Sequence, residues 1–122
     1  MPVRTRRFND PAEPDDGYRL LVTRYRPRGV SKSEESWDDW WPHLGPSRDL
    51  HAAFWGKNGA PPLDFATYEH RFLQEMQAQT FHLRALIHRH KAGETITLLC
   101  SSACSDESRC HRSILRRLIE SR

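Results

Sequence analysis

The chain has 122 residues, 37% hydrophobic and 29% charged, and its 19 basic against 16 acidic residues give a formal charge of +3. That length suits one domain, residues 1–122, built on one core. No stretch approaches the roughly 18 apolar residues that a bilayer span requires, and the basic start Met1–Phe8 lacks the apolar run of a secretory signal, so a cytoplasmic protein with no membrane partner is expected.

Val3–Phe8 reads as a short edge strand, and the turn-rich stretch Asn9–Gly17 as a loop. Tyr18–Tyr25 has strand composition, and its run Leu20-Leu21-Val22 predicts burial on both faces, as in the interior of a mainly parallel sheet. Pro27 and Gly29 end that strand, which leaves the basic loop Arg24–Gly29 at its C-terminal end, where loops line the binding crevice of open α/β sheets. Trp37, Trp40 and Trp41 are crowded into an acidic segment; aromatics of this size are expected to pack in the core, the alternative being a stacking platform. Ser47, just after Pro46, is placed to cap a helix that ends near Trp55, and 56–62 is a loop.

From Phe65 to about His90, Phe65, Tyr68, Phe72, Leu73, Met76, Leu83, Leu86 and Ile87 recur at helical spacing, predicting one long helix or two with a break near Thr80. His70, His82, His88 and His90 lack the three- or four-residue spacing of paired metal ligands and are expected at the surface. Gly93 stops this helix, Thr95–Cys100 is a second buried strand, and Ile114, Leu115, Leu118 and Ile119 mark a closing helix over 113–119. The order strand, helices, strand, helix predicts an α/β fold: a small single-domain sandwich with a short, mainly parallel sheet flanked by helices. The loops after Arg24 and Cys100 would then emerge at the same sheet edge.

All three cysteines fall between Leu99 and Arg112, in the segment joining that strand to the closing helix. Their odd number and confinement to one segment argue against a disulfide framework and for thiols or metal ligands. Three readings compete. In one, Cys110, at a helix N-terminus beside Arg109, His111 and Arg112, is a reactive thiolate: the helix dipole favours an anion there by about 0.3–1 kcal/mol and the cations add to it. His111 would serve as proton carrier or imidazolium partner, with Arg112, Arg24 and Arg28 holding an anionic substrate. In the second, Cys100, Cys104, Cys110 and His111 ligate a metal; their spacing is not that of a familiar knuckle, and adjacent Cys-His ligands seldom both reach one tetrahedral zinc. In the third, Cys100 is a buried hydrophobe, Cys104 an exposed loop residue, and the helix N-terminus binds an anion through its backbone N–H groups.

The segment Asp16–Lys32, followed by Trp40, by Gly45–Leu50 and by Phe65-Ala66-Thr67-Tyr68, resembles the domain-of-unknown-function 488 family of small bacterial proteins over nearly the whole chain. His111 falls where many members keep an asparagine-histidine pair, and Cys100 with Cys110-His111-Arg112 resembles a cysteine-bearing branch. The family usually has Asp where this chain has Thr23 and Trp where it has Arg26. An acid, base or ligand role for that Asp would have no counterpart here. The resemblance implies the α/β architecture and no particular reaction.

The residues together point to a cleft for a small anionic ligand, phosphate or carboxylate. Candidate ligand-binding residues are Arg19, Arg24, Arg28, Ser47, Ser101 and Arg112; a catalytic role would rest on Cys110 and His111 alone, because the sequence shows no paired carboxylates, glycine-rich phosphate loop or Ser-His-Asp set. No cofactor is implied. The alternative function class is a nucleic-acid-binding or protein-interaction module using the basic and Trp-rich surfaces.

Overall fold

In a computed structural model that describes residues 3–57, 59, 61–104 and 106–121, four parallel strands form one sheet in the order β1-β4-β2-β3: β1 Arg4–Arg7, β2 Tyr18–Leu21, β3 Asp39–Trp40 and β4 Ile96–Cys100. Every residue of β4 is buried, as suits a central strand made of Ile-Thr-Leu-Leu-Cys. It runs in register with β2, Leu20 beside Leu98 and Leu21 beside Leu99, so these two strands end side by side.

Side chains alternate across the sheet. Leu20, Val22, Ile96 and Leu98 join the main core, to which all four α-helices contribute: α1 Arg48–Trp55, α2 Phe65–Met76, α3 Thr80–Lys91 and α4 His111–Glu120. Leu21 and Leu99 belong to a second cluster with Trp37, against which Phe8, Val30 and Trp40 pack. One face of the sheet thus meets helices and the other meets the chain around Trp37. Packing is therefore what Trp37 does, edge-on to the Phe8 ring at 6.1 Å, whereas Trp55 is 46% exposed.

The helix boundaries follow local chemistry. Ser47 Oγ accepts a hydrogen bond from the Leu50 N–H, capping α1, and Gly56 in the left-handed region (φ 71°) ends it. Tyr68, Phe72 and Met76, four residues apart, form the buried stripe of α2. A 3₁₀ turn over Gln77–Gln79 then separates α2 from α3, which starts at Thr80, the predicted break.

Two local differences from expectation have physical causes. β2 stops at Leu21 rather than Tyr25 because the Thr23 hydroxyl donates to the Tyr25 carbonyl at 2.7 Å and turns the chain, although the Val22 N–H still donates to the Leu99 carbonyl. The two-residue β3 was unforeseen, and Trp40 Nε1–H ties it to the Thr23 carbonyl at 2.7 Å. Of the four histidines expected at the surface, His70 and His88 are exposed, whereas His82 and His90 are half-buried, His82 stacked on His43 with ring centroids 5.1 Å apart.

Beyond the N-terminal end of the sheet, Asp16 is 1% exposed and collects three guanidiniums: Arg19, Arg4 at 3.1 Å and Arg6 at 3.9 Å. Its carbonyl accepts from the Thr97 hydroxyl at 2.7 Å, so one residue joins β1, β2 and β4. Asp16→Ala strands the buried Arg19 charge and is expected to lower the unfolding free energy by about 3 kcal/mol, measured as a reduced urea midpoint; an unchanged midpoint would contradict this role.

Candidate functional site

The C-terminal ends of β2 and β4 open into a cleft of about 840 Å³. Strand ends are where an open parallel sheet leaves room for a ligand, because the chain diverges there into loops and helix N-termini. Thr23 to Arg28 form one wall, Cys100 to Ser102 with Cys104 and the start of α4 a second, and α1 a third. α1 presents Arg48, His51, Ala52 and Trp55, spaced i, i+3, i+4 and i+7, with Phe54 beside that stripe. Tyr25 and Trp55, each 46% exposed, supply aromatic surface around His51, whose imidazole sits edge-on to Tyr25 at 5.3 Å and has its pKa lowered by burial and then by the Lys57 charge.

The cleft is strongly cationic. Arg24, Arg26, Arg28, Arg48, Lys57 and Arg109 line it, and no Asp or Glu does among the described residues. Arg26 is compensated by Glu35 at 2.6 Å and lies over the Trp37 ring at 5.6 Å, so its charge is used within the fold. Among the described residues none of the other five cations forms an ion pair with a carboxylate.

Of the ligand-binding residues expected from sequence, the structure brings Arg24, Arg28 and Ser101 to this cleft together with Cys110 and His111. It places three elsewhere. Arg19 is locked to Asp16 and to the Ser36 carbonyl at 2.6 Å. Ser47 is committed to capping α1 and to the Glu75 carboxylate. Arg112 is buried outside the cleft lining and donates to the Cys104 carbonyl at 3.2 Å, so it braces the cysteine loop.

The cysteines depart most from expectation. Cys104 and Cys110 are joined by a disulfide, and Cys100 is a buried free thiol whose Sγ lies 3.2 Å from that of Cys110. The disulfide corrects the expectation of three free thiols and that of Cys110 as a reactive thiolate, while the three sulfurs still lie together as one cluster. The Cys104 N–H donates to the Ser101 carbonyl, and a 3₁₀ turn over Glu107–Arg109 doubles the loop back, bringing the two Cα atoms within 6.4 Å. Cys110 stands at the N-terminus of α4, as expected, but makes no capping hydrogen bond with its side chain and is only 3% exposed. Burial also raises the pKa of the Cys100 thiol.

His111 is the hinge of this arrangement. A carbonyl only accepts, so the 2.7 Å contact with the Val22 oxygen puts the imidazole proton on Nε2. Nδ1 then carries the lone pair, 3.8 Å from Cys110 Sγ and 4.0 Å from Cys100 Sγ. Burial pushes the His111 pKa down to about 4, the Val22 carbonyl opposing and the Arg112 charge assisting. The imidazole is neutral at neutral pH, which corrects the expected imidazolium partner.

Fold and site define a small parallel α/β protein with a cationic cleft and a sulfur cluster at the strand ends. Over residues 3–122 the chain matches the family described as the active DUF488-N3 subclade, and it belongs to that family. It is 40% identical over 76 residues to the uncharacterised protein YeaO of Escherichia coli (strain K12), a match spanning 62% of this chain and 63% of YeaO. It is 26% identical over 120 residues to the uncharacterised protein Rv3073c of Mycobacterium tuberculosis (strain ATCC 25618 / H37Rv), spanning 98% of this chain and 95% of that protein. No solved structure matches it. No helix among the described residues is long and apolar enough to cross a membrane.

Because His111 titrates near 4 when folded and near 6.5 as a free imidazole, protons bind the unfolded chain first. Its contribution is fully present above about pH 6.5 and is lost as pH falls toward 4, a change of up to about 3 kcal/mol. The urea midpoint is expected to fall across that window more steeply than in His111→Gln, whose side chain does not titrate; parallel profiles would contradict the buried neutral imidazole.

Proposed function

We propose that the chain binds a small organic anion, carrying phosphate or carboxylate, in the cleft at the ends of β2 and β4. The observation that carries this reading is the charge of the lining: Arg24, Arg28, Arg48, Lys57 and Arg109 share one concavity without an acidic neighbour among the described lining residues. Arg28, Arg48, Lys57 and Arg109 are exposed and Arg24 half-buried, and cations gathered around one concavity raise its positive potential and so attract an anion. Guanidiniums suit the task because each offers a planar fork of donors to phosphate or carboxylate oxygens. The aromatic surface of Tyr25 and Trp55 beside those charges favours a ligand with an apolar or planar part over a bare inorganic ion.

Isothermal titration with pyrophosphate and with a nucleoside monophosphate tests this. Binding at one equivalent is expected, tighter for the nucleotide and only mildly weakened by salt. Arg28→Ala should weaken it about tenfold, the value of one charge-assisted hydrogen bond, with the urea midpoint unchanged because Arg28 is exposed. Absence of heat with both probes would sink the reading. So would a response confined to oligonucleotides with a steep salt slope, which would transfer the function to a nucleic-acid-binding module.

A further inference from the structure

We propose that, once the Cys104–Cys110 disulfide is reduced, Cys100, Cys104, Cys110 and His111 bind one soft divalent cation of the zinc class. The three sulfur atoms lie within 4.8 Å of one another, and His111 Nδ1 is 3.8 Å and 4.0 Å from two of them. A tetrahedral site with metal–sulfur bonds near 2.3 Å and metal–nitrogen bonds near 2.0 Å places its sulfurs about 3.8 Å apart and each about 3.5 Å from the nitrogen. The 3.2 Å between the Cys100 and Cys110 sulfurs, like the two distances to Nδ1, lies within about half an ångström of that pattern. Opening the disulfide frees the remaining sulfur, on the loop, to take its own corner.

The histidine is set up for ligation. Its Nε2–H is committed to the Val22 carbonyl, which fixes the ring and leaves the Nδ1 lone pair on the sulfur side; metal-bound histidines are held in this way by an outer carbonyl. Adjacency of Cys110 and His111 is no obstacle. Cys110 is extended (φ −130°, ψ 145°) and His111 is the first residue of α4, so both side chains reach one point. Cys100 ends β4 and the pair begins α4, so only Cys104 must move, and Arg112 steadies its carbonyl. Zinc-class cations prefer such thiolate and imidazole donors to water or carboxylates.

The chemistry balances. A dithiol reductant supplies two electrons and two protons to the disulfide and is itself oxidised, leaving three thiols. The cation displaces three protons from them and accepts the lone pair of the neutral imidazole. Exchange with an oxidised dithiol, a disulfide that takes the two electrons and two protons and leaves as two thiols, rejoins Cys104 to Cys110; two ligands are lost, Cys100 takes up a proton and the ion is released, so this site would hold metal only under reducing conditions.

Cobalt(II) titration of the full chain, reduced and handled without oxygen, is the test. Thiolate-to-cobalt charge transfer and the intense visible bands of tetrahedral cobalt are expected to saturate at one equivalent and to vanish when zinc is added. The oxidised protein should show neither until reductant is supplied. Cys104→Ser changes a half-buried loop residue and should keep the fold, while the charge-transfer intensity drops by about a third and affinity by at least tenfold. The proposal is overturned if the reduced, folded protein gives no thiolate charge transfer, or if Cys104→Ser binds cobalt as the parent does. Anion binding in the cleft is measured separately, so either result leaves that reading intact.

Discussion

A single hydrogen bond, from His111 Nε2–H to the Val22 carbonyl, carries the geometry of the whole strand-end region. The carbonyl belongs to the residue just beyond β2 and the donor to the first turn of α4, elements 89 residues apart in the chain. Because the imidazole is buried and neutral, the bond is made in a low-dielectric setting where breaking it would leave two unsatisfied polar groups. It fixes where α4 begins, and with it Cys110, the disulfide to Cys104 and the wall of the cleft. The tautomer of the ring is a consequence of that one acceptor.

The two ends of the sheet deal with arginine in opposite ways. At the N-terminal end, Arg4, Arg6 and Arg19 converge on the buried carboxylate of Asp16, so their charges are spent on holding β1, β2 and β4 together. At the C-terminal end, Arg24, Arg28, Arg48 and Arg109 face a shared space with no such carboxylate among the described residues. Residue type alone does not separate the arginines paired with a carboxylate from those left facing a cleft; the presence of a buried counter-charge does.

Much of this was legible in the sequence. The buried run Leu20-Leu21-Val22, the Ser47 cap, the break at Thr80 and the strand ending at Cys100 are local signals, and each appears where its chemistry puts it. The cleft was legible at Arg24, Arg28, Ser101, Cys110 and His111 because parallel strands deliver their C-terminal ends to one edge. The misplaced residues failed for a common reason: Arg19, Ser47 and Arg112 are engaged by Asp16, Glu75 and the Cys104 carbonyl, partners 3, 28 and 8 residues away that no spacing rule predicts. The α1 face had a readable signal in the spacing of Arg48, His51, Ala52 and Trp55. The two-residue β3 had none, and the disulfide depends on how the loop folds back.

The outer strands limit how this sheet grows. β1, on one edge, is Arg-Thr-Arg-Arg, with its guanidiniums tethered to the acidic stretch of residues 10–16. β3, on the other, offers only two residues. A strand from a second molecule would meet a network of paired charges at the first edge and a short ladder at the second. Charged and very short outer strands are the features by which sheets discourage edge-to-edge pairing, and here they bound a parallel ladder of four strands among the described residues.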